Sequence, residues 1–139
     1  VTVKGVSKQD IQDIYTIRMM IEGLAARWAA EKITPEELEE LQEAVDLEEF
    51  YTMKGDYGHL LKFDTRFHDI IFRASKSMPL RKVSMSSPGR AEKVLEEHKA
   101  ILQAIIDRDA DRAEMLTTQH VKNASENLLR QNQTDNLYD

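Results

Sequence analysis

The chain contains 139 residues, of which 41% are apolar and 32% are charged, so its length and composition are typical of one globular domain with a sizeable core. Its formal net charge of −6 argues against this chain alone binding a nucleic-acid backbone, because such binders present basic surfaces. The absence of cysteine excludes disulfides, thiolate metal sites and cysteine nucleophiles, and it fits a reducing cytoplasm.

The sequence predicts no membrane partner. No apolar run approaches the roughly 20 residues that cross a bilayer, and no signal peptide opens the chain. Residues 1–6 lack a helical pattern, and we interpret them as a linker from an upstream domain. Because the first residue is Val rather than Met, we expect the chain to be a fragment or a processed product.

A first helix is predicted from Ser7 to about Lys32, and it begins where Ser7 and Asp10 form a variant of the capping box. Apolar residues then recur at helical spacing and define an expected inner face. The members of this face are Ile11, Ile14, Ile21, Leu24, Ala25, Trp28 and Ala29.

Two charged residues, Arg18 and Glu22, lie on or beside this inner face. An unpaired buried charge is costly, so each residue needs a partner or a ligand. One interpretation is an ion pair between the two at i,i+4. The other is a guanidinium that binds the carboxylate of a ligand, with Glu22 orienting it. The sequence leaves both interpretations open.

The second predicted helix begins at Thr34-Pro35, where a capping residue precedes proline at the first helical position and Glu37 closes a capping box. Gly55 ends this helix. Its expected inner face consists of Leu38, Leu41, Val45 and Phe50. The acidic residues between positions 36 and 43 are interpreted as a solvated face near the positive end of the helix dipole.

The remaining helices are predicted, in chain order, at Tyr57–Ala74 after an Asp56 cap, at Leu80–Met85 as a short turn, from Ser87-Pro88 to about Asp107, and at Ala110–Gln131 after an Asp109 cap. Residues 7–131 therefore form one domain, and residues 132–139 form a polar tail. The predicted fold class is all-α, an antiparallel bundle of about six helices that encloses a central metal or ligand cavity.

Four residues have the spacing of a metal site. Asp64 and His68 are four residues apart, so they lie one turn apart on the same helix face. The last two long helices are joined by a very short turn and should form an antiparallel hairpin. At about 1.5 Å per residue, His98 and His120 lie roughly 14 and 15 Å from that turn, side by side. His59 points about 140° away from Asp64 and is left out.

Three imidazoles and one carboxylate suit a divalent transition metal, most simply Zn²⁺, with Ni²⁺, Mn²⁺ or Fe²⁺ as other candidates. Four protein ligands leave an open position only if the metal exceeds tetrahedral coordination. The alternative is that these histidines are unrelated residues on helix surfaces.

The residues that carry a family resemblance follow one another in a fixed order. They are Arg18 to Glu22, Asp64 to His68, Ala74-Ser75, Glu97 to Ile101, Ala104-Ile105, Asp109, Ala113 and His120. This ordered set resembles the FadR-type C-terminal domain (FCD), the ligand-sensing half of GntR-family bacterial transcription regulators, over residues 7–130.

The resemblance implies a bundle of six or seven helices that dimerises, binds a small organic acid and follows a winged helix-turn-helix that binds operator DNA. In the metal-binding branch of the family an Asp and three His coordinate the ion, and these match Asp64, His68, His98 and His120. The family's arginine for ligand carboxylates matches Arg18. The chain departs from the family by lacking the winged helix and by having a short Pro79–Gly89 stretch.

The sequence is therefore compatible with three functions. The first is an effector-sensing domain with a metal-containing pocket. The second is a metal-dependent hydrolase-like enzyme, since a metal with open positions activates water, although no general base is evident outside the ligands. The third is a helical dimerisation module without metal. Turnover of organic acids would identify the second, and metal analysis of the purified protein would identify the third.

Overall fold

The computed structural model describes residues 7–85 and 95–136, and within these ranges it consists of six helices and no strand. The helices are α1 (Lys8–Lys32), α2 (Pro35–Lys54), α3 (Tyr57–Ala74), α4 (Met78–Met85), α5 (Leu95–Ile106) and α6 (Ala110–Asn136). This confirms the all-α bundle of about six helices, whereas the enclosed cavity stays a prediction. No helix in these ranges is long and apolar enough to cross a membrane.

Two of the expected helix boundaries differ from the structure, and others lie outside it. The short fourth helix begins at Met78 instead of Leu80. The last helix continues to Asn136 instead of ending near Gln131. The linker at residues 1–6 and the helix start at Ser87-Pro88 lie outside the described residues, as do the last four residues, 86–89, of the short Pro79–Gly89 stretch.

The helix ends follow the local chemistry of the sequence. Ser7 and Thr34 each accept a hydrogen bond from the backbone three residues on, and both predicted capping boxes are complete. Gly55 ends α2 with a φ of 70°, in the left-handed region that costs glycine little. Asp56 then caps α3.

The predicted hairpin between α5 and α6 is confirmed. Its turn closes through Arg108, whose φ is 54°. The Asp109 N–H donates to the carbonyl of Ala104 at 2.9 Å. The Arg108 guanidinium also donates to the carbonyls of Ala30 and Ile33, at 3.3 and 2.8 Å. The hairpin is therefore attached to the end of α1.

The inner face of α1 agrees with the prediction at Ala25 and Ala29, which are buried, and differs from it elsewhere. Its buried residues are Arg18, Glu22, Gly23, Ala25, Ala26, Ala29 and Ala30. Since each residue of a helix turns by about 100°, the centre of this buried face lies roughly 90° around the helix from the centre of the predicted apolar stripe. The prediction was wrong for the larger apolar residues because α1 packs closely against α6, where a Cβ on Gly23 would come within 2.5 Å of Thr118 Oγ1. Small residues permit that approach, and the larger apolar residues of the predicted face, Ile14, Ile21, Leu24 and Trp28, are only partly buried.

One expected core residue of α2 is also misplaced. Phe50 is 47% exposed, whereas Leu41, Ala44, Val45 and Glu48 are buried. The inner face of α2 therefore includes a carboxylate where the sequence predicted only apolar side chains.

We expect Gly55→Ala to lower the free energy of unfolding by about 1 kcal/mol, because any other residue is strained at a φ of 70°. Gly58→Ala is the matched control one turn away. It has ordinary helical backbone, and its Cβ would lie 3.7 Å from Asp56 Oδ1, so it should be neutral or slightly stabilising. Urea denaturation of both variants measures the difference, and equal effects would contradict this account of the turn.

Candidate metal centre

Three histidines from three helices meet in the core. His68 on α3, His98 on α5 and His120 on α6 are all buried. Each offers one ring nitrogen, and these nitrogens lie within 4.8 Å of one another. The Nε2 atoms of His98 and His120 are 3.4 Å apart. The His68 ring stacks on the His120 ring with a centroid distance of 5.4 Å.

The fourth predicted ligand, Asp64, lies against these histidines. It precedes His68 by one helical turn and is buried. Its Oδ1 atom is 3.2 Å from His98 Nε2 and 3.5 Å from His68 Nε2. The structure thus brings together all four residues that the sequence selected as metal ligands. His59 lies apart from them, exposed and paired with Asp56 at 2.7 Å.

A second layer of carboxylates faces the opposite edges of the imidazoles. Both Glu48 oxygens lie within 2.9 Å of His98 Nδ1. Glu97 Oε1 lies 2.8 Å from His120 Nδ1. Glu22 Oε1 lies 3.6 Å from His68 Nδ1. Each histidine therefore has a carboxylate beside Nδ1.

Sequence reasoning missed Glu48 and Glu97. A signal for Glu48 was present, because it follows Leu41 and Val45 on the same face of α2, at i+7 and i+3. A charge in that position raises the same question that Arg18 and Glu22 raised on α1. Glu97 was visible only as the residue before His98, and its contact with His120 depends on the packing of α5 against α6.

These contacts determine which ring nitrogen is free to bind a metal. An ionised carboxylate only accepts hydrogen bonds, so Nδ1 of His98 and His120 must donate. A neutral imidazole has one proton, so both Nε2 atoms then present lone pairs, to each other and to the Asp64 carboxylate. In this neutral form the Nε2 atoms and the Asp64 oxygens would only accept, and atoms that only accept repel one another at 3.2–3.4 Å. One cation satisfies the whole group, whereas one proton bridges only two atoms.

The spacing of these atoms fits a metal ion. Zn–N and Zn–O bonds of about 2.1 Å in tetrahedral geometry place neighbouring ligand atoms about 3.4 Å apart. Three pairs of these atoms lie at that spacing: Asp64 Oδ1 and His68 Nε2 at 3.5 Å, Asp64 Oδ1 and His98 Nε2 at 3.2 Å, and the Nε2 atoms of His98 and His120 at 3.4 Å. The donor set of three nitrogens and one carboxylate oxygen also suits Zn²⁺ and its neighbours in the first transition row.

Arg18 and Glu22 connect α1 to this cluster. Arg18 is only 5% exposed, and its Nε donates to Glu22 Oε2 at 3.0 Å. The ion-pair interpretation is therefore correct for Nε. Arg18 Nη2 is buried without a hydrogen-bond partner among the described residues. The guanidinium lies 4.6 Å from the Tyr15 ring centre. The Thr117 hydroxyl, one turn before His120, is likewise buried without a hydrogen-bond partner in the described ranges.

The chain is similar to one known protein family and to several curated proteins. Residues 13–83 and 76–123 match the family model of the FCD domain. The galactonate operon transcriptional repressor of Escherichia coli K12 is 27% identical, over 70% of this chain and 48% of that protein. The Uxu operon transcriptional regulator of the same organism is 26% identical, over 91% of this chain and 56% of that protein. The chain spans about half the length of these relatives.

Solved structures show the same fold. Streptococcus agalactiae GntR superposes with a TM-score of 0.77 at 20% identity, over 91% of this chain and 63% of that one. Escherichia coli McbR/YncC also gives 0.77, at 21% identity, over 94% of this chain and 69% of that one. Because the family model matches most of its length, this chain belongs to the FCD domain family of GntR-type transcription regulators.

Proposed function

We propose that this chain is the effector-sensing domain of a GntR-family regulator of the FadR subfamily, and that it binds a small organic acid beside a divalent metal. The observation that carries the proposal is the convergence of Asp64, His68, His98 and His120 from three helices, with three pairs of their ligand atoms 3.2–3.5 Å apart. The curated relatives are transcription regulators, which supports regulation rather than catalysis.

These four residues would hold the metal, with Zn²⁺ as the first candidate. When bound, a metal with more than four coordination positions would offer one of them to an oxygen of the effector. Because α3, α5 and α6 each supply at least one ligand, metal binding would also fix the packing of these helices. A site formed only in the folded state stabilises that state by mass action.

Arg18 is the proposed contact for the effector's carboxylate. Its Nε is committed to Glu22, but its buried Nη2 retains hydrogen-bonding capacity that a carboxylate oxygen would satisfy. Glu22 also lies beside His68, so Arg18 is one residue removed from the metal cluster. An acid between Arg18 and the metal would contact both. The Thr117 hydroxyl could bind a further oxygen, such as a hydroxyl of a hydroxy acid.

The proposed output is control of an upstream winged helix-turn-helix that binds operator DNA in the cytoplasm. Both proposed effector residues lie on α1, the first helix after residues 1–6. An effector that fixes α1 against α3 and α6 would shift the population of arrangements open to the upstream domain. The shift is limited by the difference in effector affinity between those arrangements.

We also propose that the chain forms a homodimer through the outer face of α1. Ile17 and Met20 are 54% and 72% exposed there, and Ile21, Leu24 and Trp28 are only half-buried. A contiguous apolar helix face is typical of an interaction surface. A second copy is the proposed occupant because regulators that read two-fold symmetric operators pair their domains.

Purified wild-type protein should contain about one divalent metal per chain. His98→Ala and His120→Ala should lose most of it, and the rise in melting temperature that added metal gives the wild type should disappear. That rise corresponds to about 3–4 kcal/mol near 1,000-fold excess over the dissociation constant. His59→Ala is the matched control and should retain the metal. Inductively coupled plasma mass spectrometry measures the metal content of each protein. If a variant with both His98→Ala and His120→Ala keeps the wild-type metal content, the metal site lies elsewhere.

Replacing Arg18 with Lys should weaken effector binding by roughly 1–3 kcal/mol, because lysine lacks the planar fork of donors. Metal content should not change, since arginine is not a ligand. The matched control is Arg27→Lys, also on α1, where Arg27 pairs with Asp111 and Glu114 at the surface of α6. Calorimetric titration with hydroxy acids, dicarboxylic acids and galactonate tests this. Wild-type affinity in Arg18→Lys would refute the carboxylate role.

The wild-type domain should have a dimeric mass in light scattering at micromolar concentration. Met20→Glu should shift it towards monomer, because the substitution buries a charge in the proposed interface. Met53→Glu introduces the same charge at another exposed methionine, on α2, and should leave the mass unchanged. A monomeric wild type, or an equal effect of both substitutions, would refute this interface.

A further inference from the structure

We propose that Glu48 and Glu97 are positioning residues that hold His98 and His120 as Nδ1–H tautomers, so that both Nε2 lone pairs point at the metal position. The inference rests on the proposed function in one respect, that Nε2 is the atom that binds metal. Beyond the proposed function, it identifies Glu48 and Glu97 as the residues that leave Nε2 unprotonated on two of the three imidazoles.

The case for Glu48 begins with its burial. It is 2% exposed, in a part of α2 where Leu41 and Val45 belong to the core. A carboxylate is costly to bury unless it is hydrogen-bonded. Its two oxygens lie 2.9 and 2.8 Å from the same atom, His98 Nδ1. Because Glu48 is buried, it needs this hydrogen bond, and the bond keeps a proton on His98 Nδ1.

The ring of His98 has little freedom to turn away from this contact. The Phe67 ring stacks on it with a centroid distance of 4.3 Å and an interplanar angle of 19°. His98 itself is fully buried. With the ring plane held by Phe67 and the Nδ1 proton held by Glu48, Nε2 is directed towards Asp64 and His120.

Glu97 holds His120 in the same way from a more exposed position. Its Oε1 lies 2.8 Å from His120 Nδ1, and its Oε2 accepts a hydrogen bond from Asn123 Nδ2 at 2.8 Å. Asn123 follows His120 by three residues on α6, so one turn of this helix holds both oxygens of Glu97. The orientation of Glu97 is thus fixed although its side chain is 30% exposed.

Glu48 could instead be a ligand, since Glu48, Asp64 and His98 also form a group with metal-ligand spacing. The geometry favours positioning. Glu48 contacts Nδ1, whereas Asp64 contacts Nε2 on the other side of the same ring. The imidazole therefore lies between Glu48 and the point where the other three ligands meet. Carboxylates in this position raise the basicity of a metal-binding histidine and fix its tautomer.

The test compares Glu48→Gln and Glu97→Gln with neighbouring controls of the same charge change. The controls are Glu49→Gln and Glu96→Gln, which remove partners of Lys99 at the surface. Nitrogen-15 correlation spectra of the metal-stripped proteins, at a pH where the imidazoles are neutral, report the tautomer of each histidine. Competition with a chromogenic chelator reports zinc affinity.

In the wild type and both controls, we expect His98 and His120 to be Nδ1–H tautomers. A glutamine amide can also donate to Nδ1, so Glu48→Gln should shift His98 towards the Nε2–H tautomer and leave His120 unchanged. Glu97→Gln should shift only His120. Each should lower zinc affinity on the order of 10–100-fold. Glu48→Asp, which retains a carboxylate, should restore the His98 tautomer at least in part. A general loss of stability would not produce this residue-by-residue pattern.

Unchanged tautomers in both glutamine variants would overturn the inference. So would loss of zinc from Glu48→Gln without any change of tautomer, which would identify Glu48 as a ligand. If Glu48→Gln does not fold, Glu97→Gln decides alone, since its carboxylate is partly exposed. If the wild type binds no metal, the proposed function fails, while the tautomers of the stripped protein still test what Glu48 and Glu97 do.

Discussion

The contact between buried carboxylates and buried imidazoles is the constraint on which the rest of this structure depends. Three imidazoles and the carboxylates of Asp64, Glu48 and Glu22 lie in a core that would otherwise be formed by alanine, isoleucine and phenylalanine. Each of these polar groups would cost several kcal/mol if left without partners. Their partners come from five different helices, so these contacts constrain the mutual register of α1, α2, α3, α5 and α6. Apolar packing alone tolerates small shifts, whereas this set of contacts does not.

The parts of this arrangement that depend on local chemistry could be predicted from the sequence. The capping boxes at Ser7 and Thr34, the glycine end of α2 and the short turn before α6 all depend on residues within a few positions of one another. The juxtaposition of His98 and His120 followed from the same logic, since equal distances from a tight turn place two residues side by side. The prediction that Asp64 and His68 lie together required only their spacing of four residues on one helix.

What could not be predicted depends on which helix packs against which. The inner face of α1 was misplaced because large apolar residues were taken to mark the core, whereas the close approach of α6 at Gly23 selects the alanine face. Phe50 was misplaced for the same reason, and Glu48 was missed. The face that α1 buries and the burial of Glu48 depend on partners that are distant in sequence, Thr118 and His98. In this chain, hydrophobicity identified the helices but not the orientation of the first one.

The unexpected orientation of α1 has a consequence for how the domain would transmit a signal. Its inner face carries Arg18 and Glu22, and its outer face carries Ile17 and Met20. Glu22 has one oxygen near Arg18 and the other near His68, so a ligand that draws Arg18 away also changes the environment of a proposed metal ligand. By thermodynamic linkage, an effector that alters metal affinity through Glu22 must have its own affinity altered by the metal to the same degree. The helix that joins the two sites is also the first one after residues 1–6 in the sequence, and it carries the proposed dimer face. A single rigid element could therefore couple metal, effector and partner without rearrangement of the core.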